Sequence, residues 1–332
     1  MREIWERREN ESLMDYEERL YRNRSEYGID WEKINELLEL EQHPDTTRKA
    51  SVGYIKRIDQ KRQNKFDKSI MIINDLHLPY EREDILEVIK KHSNEITTLV
   101  IAGDLMDCES ISKFPKIRRK SLEEELIYSY EFIKKIRKIL DKGQKIIIIR
   151  GNHEERLYKE ICSMHKKEFQ KFINPEIIEM IIDGFVIYDN GKKMKYEGVS
   201  DITYVPHWYV NIENKIIVAH PKDFSKVKGK MLESIAGHFV NRHEEFEVIV
   251  MGHTHKFSTG IVDRYAGVFV VENMCMCKPQ NYSDKGKLGF TPQTYGYTII
   301  KYNDNEKIKF DNIRTYHLDE LYNQNEDYVI NL

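Results

Sequence analysis

Five short apolar runs, each closed by polar residues of the same few kinds, constrain this chain more than any other feature. They are Ile70–Ile73, Leu99–Ala102, Ile146–Ile149, Ile216–Ala219 and Val248–Met251. Each is short, rich in β-branched residues and apolar at successive positions, the pattern of strands buried on both faces. Helical segments such as 122–140 and 154–172 lie between them, and that rhythm predicts an α/β sandwich. With 40% hydrophobic and 11% aromatic residues the chain can bury a sizeable core, which excludes a disordered or fibrous class. Its 332 residues suffice for two domains, or for one large domain with an appendage.

The residues directly after each run carry the chemistry. The first run leads into Asn74-Asp75-Leu76-His77, the second into Gly103-Asp104-Leu105-Met106-Asp107 and the third into Gly151-Asn152-His153-Glu154. The fourth ends in His220-Pro221 and the fifth in Gly252-His253-Thr254-His255. Ligands of open α/β sheets bind outside the carboxyl ends of the strands, so Asp, His and Asn side chains converge on one edge. Carboxylate oxygens and imidazole nitrogens together are a transition-metal ligand set, with carboxylate as the natural bridge between two ions. Asp75 and His77 are two apart, as are His253 and His255, so in an extended segment each pair points one way. Glycines ahead of Asp104, Asn152 and His253 let the backbone turn where the strand stops. A single one of these histidines reads best as a structural residue. Five of the chain's 12, all directly after strand candidates, read as a site. With no thiolate in the set, Mn²⁺, Fe or Zn²⁺ fits and a Ca²⁺ cage does not, and Mn²⁺ is the expected activator. Cys108 reads as a packed thiol, and Cys275-Met276-Cys277 has the wrong spacing for a zinc knuckle.

Taken in order, D-x-H, GD-x-x-D, GNHE, a lone His and GHTH resemble the calcineurin-like metallophosphoesterase superfamily over roughly residues 69–255. The resemblance implies an αββα sandwich over 69–318, followed by a C-terminal tail, 319–332. The β segments at 260–263, 268–271, 295–302 and 307–310 would then form its second sheet. It also implies one divalent metal on Asp75, His77, Asp104 and His255, and another on Asp104, Asn152, His220 and His253, with Asp104 bridging. Under the same resemblance His153 stands beside the scissile phosphate without binding metal, and Asp107 orients it, unless Asp107 is a loop-capping Asx residue. The implied reaction is in-line attack of a metal-activated water on a phosphoester, without a covalent enzyme intermediate. Protein Ser/Thr phosphatases carry Arg-Gly where this chain has Cys108-Glu109, which disfavours that branch. DLHLP and GDLMD are closer to nuclease and small bacterial or phage-type branches.

Residues 1–68 differ, with apolar residues at helical spacing, and three short helices there make a helix-turn-helix-like all-α module plausible. Asp45-Thr46-Thr47 reads as the cap of its third helix. Between Thr46 and Lys68, eight cations face only Asp59 and Asp67, a local charge of +6. Residues 31–62 resemble helical modules found ahead of phosphoesterase domains in phage and prophage proteins. A nucleic-acid partner held by Arg48, Lys49, Arg57 and Arg62 is one reading, and a solvated basic face is the other. Because the net charge is only −3, nucleic-acid affinity has to come from such a patch. Small phosphoesters or nucleotides are the alternative substrates. A catalytically idle nucleic-acid binder is disfavoured because every ligand position is filled. Lys113, Lys116, Arg118, Arg119 and Lys120 read as a cleft overhang or as a solvated helix entry. The charged start, the absence of a run near 18 apolar residues and the four cysteines fit a cytoplasmic protein without disulfides or membrane contact. Oligomeric state leaves no sequence signal.

Overall fold

In the computed structural model the described residues are 4–8, 11–63, 66–113, 120–163, 176–189, 191–227, 229–265, 267–279 and 293–318. The expected tail, 319–332, and the far part of the helix expected over 154–172 lie outside them. The chain divides into two compact units, Met1–Phe66 and Asp67–Leu332.

The first unit holds α1 (Leu13–Tyr27), α2 (Trp31–Leu37) and α3 (Pro44–Gln63). Ser12 caps α1 by accepting the Asp15 N–H at 3.1 Å, and Gly28, at a φ of 65° that glycine adopts without a Cβ clash, closes it. Asp30 caps α2 through the Lys33 N–H at 2.8 Å. α3 starts earlier than its sequence suggested. Proline takes the first helical position, where its missing N–H costs nothing, so Asp45–Thr47 lie inside the first turn. The His43 imidazole accepts the Asp45 N–H at 3.2 Å instead, and Thr47 turns inward to bond Asn35. Tyr16, Leu20, Ile29 and Ile34 form the small core.

The second unit is an α-β-β-α sandwich. Its first sheet takes β1 (Lys68–Ile73), β2 (Thr98–Ala102), β3 (Lys145–Ile149) and β6 (Ile202–Val205), all parallel, and adds β12 (Tyr295–Tyr302) and β13 (Ile313–Leu318) at the β1 edge. The second runs β10 (Ser258–Val262), β11 (Val268–Glu272), β9 (Val248–Met251), β8 (Ile216–Ala219) and β7 (Tyr209–Ile212). A separate hairpin pairs β4 (Gly184–Asp189) with β5 (Lys192–Glu197). Strand periodicity explains the layers. Ile70 and Ile72 of β1, Val100 of β2, Ile216 and Val218 of β8, and Val248 and Val250 of β9 fill the space between the sheets. Their alternates Met71, Ile73, Leu99 and Ile101 face α4 (Ile85–His92), α5 (Leu122–Ile139) and α7 (Ile177–Asp183). Ile217, Ile249 and Met251 face α8 (Lys230–Asn241). Between them α6 (Glu155–Ser163) follows β3.

Two strand expectations need correction. The later β segments do not build the second sheet together: β10 and β11 do, but β12 pairs antiparallel with β1 and so extends the first. Residues 307–310 are not a strand. The Ile308 N–H goes to Glu247 at 2.6 Å rather than to a ladder, a turn spans Phe310–Asn312, and the strand comes after it as β13. Among the described residues no helix is long and apolar enough to cross a membrane.

Ile72 is fully buried in the inter-sheet layer. Ile72→Ala is expected to lower unfolding free energy by about 2–5 kcal/mol, read from the urea midpoint at unchanged slope.

Candidate metal centre

The five polar segments come after β1, β2 and β3 of one sheet and β8 and β9 of the other. Both sheets therefore contribute to one buried cluster. Asp75, His77, Asp104, His220 and His255 are all at most 4% exposed. Backbone shape does part of the aiming: Asp75, His77, Asp104, His253 and His255 all have left-handed φ, between 49° and 83°. Non-glycine residues adopt that region at a cost, so the surrounding packing must hold them there.

Four atoms converge at one end of the cluster. His77 Nε2 lies 3.2 Å from His255 Nε2, His255 Nε2 lies 3.3 Å from Asp75 Oδ1, and His77 Nε2 is 3.8 Å from both Asp75 Oδ1 and Asp104 Oδ2. Ligands about 2.0–2.2 Å from one tetrahedral ion sit about 3.4 Å apart, which is this spacing. Asp75 Oδ1 is buried without a hydrogen-bond partner, although its sister Oδ2 accepts the His253 N–H at 2.9 Å. A buried carboxylate oxygen and two facing imidazole nitrogens fit a shared cation.

The other end gathers Asp104, His220 and His253, whose ligand atoms lie within 4.8 Å of one another. His220 Nε2 is 3.2 Å from Asp104 Oδ2 and 3.2 Å from Asn152 Oδ1. Its Nδ1–H donates to the Ala102 carbonyl at 2.8 Å, which turns Nε2 toward the cluster. Asp104 Oδ2 thus stands between the two groups, while Asp104 Oδ1 accepts the His153 N–H at 3.0 Å. His153 Nδ1 is 2.8 Å from the Asp107 carbonyl and 3.2 Å from Asp107 Oδ1, and that same oxygen is 3.1 Å from His77 Nδ1.

Charge inside the cluster is strongly coupled. Burial would raise the Asp75 and Asp104 carboxyls, but the imidazoles around them outweigh it and hold both well below the usual range. Asp107 is held low in the same way by His153 and His77. Burial would lower His220, yet Asp104 and Asp75 push it up to about 10. His253 goes the other way, to about 4, through burial and the neighbouring His220 charge. These shifts favour the protonated forms of His220 and His255 while no cation is bound, and a cation at the same nitrogens would compete with those protons.

The glycines serve a different purpose from the one their sequence positions suggest. A Cβ on Gly151 would lie 2.1 Å from Asp104 Oδ1 and 2.2 Å from Asp104 N, and one on Gly252 2.9 Å from the Asn74 side chain. Gly103 has both a φ of 81° and His220 Cγ at 2.4 Å from its Cβ position. Close approach between neighbouring loops, more than a sharp turn, demands glycine there. Glu154 closes the GNHE motif in the sequence, where it carried no role of its own. Its carboxylate is buried and ties two segments together, accepting the Met106 N–H at 2.9 Å and the Gly151 N–H at 2.8 Å. Burial first, then the Asp104 charge, raises its pKa to about 7. Cys108 is buried, which pushes its thiol well up, and Cys277 lies 3.9 Å from His255 Nδ1. Of the basic residues, Arg48 and Lys49 are exposed on α3, with Arg48 3.3 Å from Asp45. The side chains of Arg57 and Arg62 lie outside the described residues, as do Lys116, Arg118 and Arg119.

Residues 68–257 match the family of calcineurin-like phosphoesterases. The chain belongs to that family. It is a metal-dependent phosphoester hydrolase, and its family works through a binuclear divalent-metal centre of the kind these Asp and His side chains are suited to hold. Residues 3–49 match the YonJ N-terminal domain. No curated protein matches the chain. Among solved structures it is similar to a protein serine/threonine phosphatase from Saccharomyces cerevisiae, at 12% identity, covering 79% of this chain and 83% of that one, with a TM-score of 0.38. Vps29 from Chaetomium thermophilum is similar at 10% identity, over 76% and 97% of the two chains, with a TM-score of 0.35. A predicted phosphoesterase from Streptococcus pneumoniae TIGR4 is similar at 12% identity, over 76% and 98%, with a TM-score of 0.28. With likeness this distant, family membership rests on the family match alone.

Gly151→Ala drives a methyl group into the Asp104 carboxylate. The variant is expected to fold, by circular dichroism, but to bind Mn²⁺ about tenfold or more weakly, a loss of the size seen when groups supporting a metal ligand are disturbed. Unchanged Mn²⁺ affinity in a calorimetric titration would refute the placement of Asp104 in the centre.

Proposed function

We propose that this chain is a two-metal phosphodiesterase acting on nucleic acid. The observation that carries the two-metal reading is Asp104 Oδ2, placed 3.8 Å from His77 Nε2 and 3.2 Å from His220 Nε2, where one carboxylate can serve two cations. Asp75, His77, Asp104 and His255 would hold one ion, and Asp104, Asn152, His220 and His253 the other. Such a pair supplies an activated water and neutralises charge on the phosphoryl oxygens when bound. Mn²⁺ is the proposed activator, since an Asp/His/Asn set without thiolate suits it.

The chain's own groups do the rest. The His153 N–H and the His253 N–H fix the two buried carboxylates, one each. His77 Nδ1–H donates to Asp107, so its Nε2 faces the centre as a lone pair. His153 Nε2 lies 3.7 Å from Asp104 Oδ2, beside the position proposed for the phosphate, where an imidazole can stabilise developing charge or protonate the leaving oxygen. Asp107 holds His153 through its main-chain oxygen and its carboxylate, as a positioning residue.

The nucleic-acid assignment rests on the cations between Thr46 and Lys68, a +6 stretch that spans most of α3, in a chain of net charge −3. Arg48 pairs with Asp45 only at the surface, where such a pair is weak and a phosphate competes for it.

Two experiments test this reading. Hydrolysis of a generic phosphodiester with Mn²⁺ is expected to exceed that of a matching monoester, to vanish in Asp104→Asn, and to lose about 10²–10⁴ in kcat in His153→Ala with metal content intact. A monoester preference would move the assignment to small phosphoesters. Separately, the double variant Arg48→Ala, Lys49→Ala is expected to weaken DNA or RNA binding across sequences and to flatten its salt dependence by about one unit of slope per lost phosphate contact. Equal affinity in the double variant, or no binding by the parent chain, would remove the nucleic-acid assignment and leave the hydrolase.

A further inference from the structure

Arg156, in the first turn of α6, has no part in the metal centre or in the reaction as proposed above, yet it bonds directly to His153 and Asp107. Its Nη2 donates to His153 Nε2 at 2.8 Å, and its Nη1 donates to the Asp107 carbonyl at 2.7 Å and the Cys108 carbonyl at 3.5 Å. A guanidinium keeps its proton and has no lone pair to offer, so His153 Nε2 is the acceptor in that contact. The imidazole proton therefore sits on Nδ1 and is given to the Asp107 carbonyl at 2.8 Å. In this arrangement the one nitrogen of His153 that faces Asp104 is capped by a cation.

Among the described residues, no anion meets the charge of Arg156. Arg82 sits 2.8 Å from Asp84, Arg150 2.7 Å from Glu176 and Arg19 2.7 Å from Glu11. Arg156 is half-buried, yet its acceptors are two carbonyls and an imidazole, and no described carboxylate pairs with it. Carbonyls and an imidazole compensate a partly buried guanidinium less than a directly bonded anion does, so the site favours an anionic ligand that takes up its N–H donors. The planar fork has N–H donors left over, and it matches the non-bridging oxygens of a phosphoryl group.

We propose that Arg156 is the substrate-phosphate clamp of this site: its Nη2 leaves His153 Nε2 for a non-bridging phosphoryl oxygen when a phosphoester binds. Phosphate capture and the uncapping of His153 are then one exchange. This rests on the placement of the phosphate beside His153 in the proposed function. Once uncapped, Nε2 is available to the phosphoryl group or its leaving oxygen, and Asp107 retains its grip on Nδ1. Arg156 adjoins the backbone of two carbonyls rather than a mobile side chain, so its Nη1 anchors the fork while Nη2 changes partner.

The test uses the full chain and inorganic phosphate as the probe. Phosphate binding is titrated calorimetrically, with and without Mn²⁺, on the parent, Arg156→Ala, Arg156→Lys and His153→Ala, and metal content is measured on each. Arg156→Ala is expected to weaken phosphate binding about 10- to 100-fold at full metal content, the loss expected for a charge-assisted hydrogen bond. Arg156→Lys restores part of it, because the charge returns without the fork. His153→Ala leaves most of the phosphate affinity in place, and on a generic diester Arg156→Ala raises KM as well as lowering kcat. A phosphate affinity within about twofold of the parent, at full metal content, overturns the clamp and leaves Arg156 a positioning residue for His153. Loss of metal together with phosphate binding overturns it too, as does failure of the metal-loaded parent to bind phosphate at millimolar concentration. Should the parent hydrolyse no phosphoester while phosphate binding still depends on Arg156, the proposed function fails and the clamp stands.

Discussion

Two carboxylates withdrawn from water set the terms for the rest of the catalytic unit. Asp75 and Asp104 are at most 2% exposed, and a buried carboxylate is tolerable only when donors or cations surround it. The chain meets this demand from both sheets at once. His77 and His153 come from the ends of β1 and β3, His220, His253 and His255 from β8 and β9. The inter-sheet layer of Ile70, Ile72, Val100, Ile216, Val218 and Val250 is therefore what brings these side chains to one place. Apolar packing supplies the distance, and the polar cluster uses it.

Much of this was legible because strand chemistry writes itself into sequence. The five apolar runs became β1, β2, β3, β8 and β9, since continuous β-branched runs suit strands covered on both faces. The residues after them share one cluster because all five lie at carboxyl ends of strands, where side chains leave the sheet together. Less legible were features set by contacts between distant segments. The pairing of β12 with β1 joins residues more than two hundred positions apart, and nothing local in 295–302 says which sheet it enters. Pro44 displaced the expected cap by fixing the first turn of α3. The requirement for glycine at 151 comes from Asp104, a neighbour in space only.

Glu154 and Arg156 show the same limit within the site itself. Neither belongs to the Asp/His/Asn set that marks a metal centre, so a search by ligand type passes over both. Glu154 is informative only once Met106 and Gly151 are seen to share its two oxygens. Arg156 was open to notice as a cation three residues past a candidate acid-base histidine, within reach of it across the first turn of a helix.

Asp75 and Asp104 each accept a peptide N–H, from His253 and His153, and the Asn74 side-chain amide donates to Asp75 beside it. A peptide donor survives any substitution except proline. A substitution at 153 or 253 can therefore remove an imidazole while leaving a donor to the carboxylate in place. The aim of the two carboxylates is in that respect partly separable from the imidazoles that surround them.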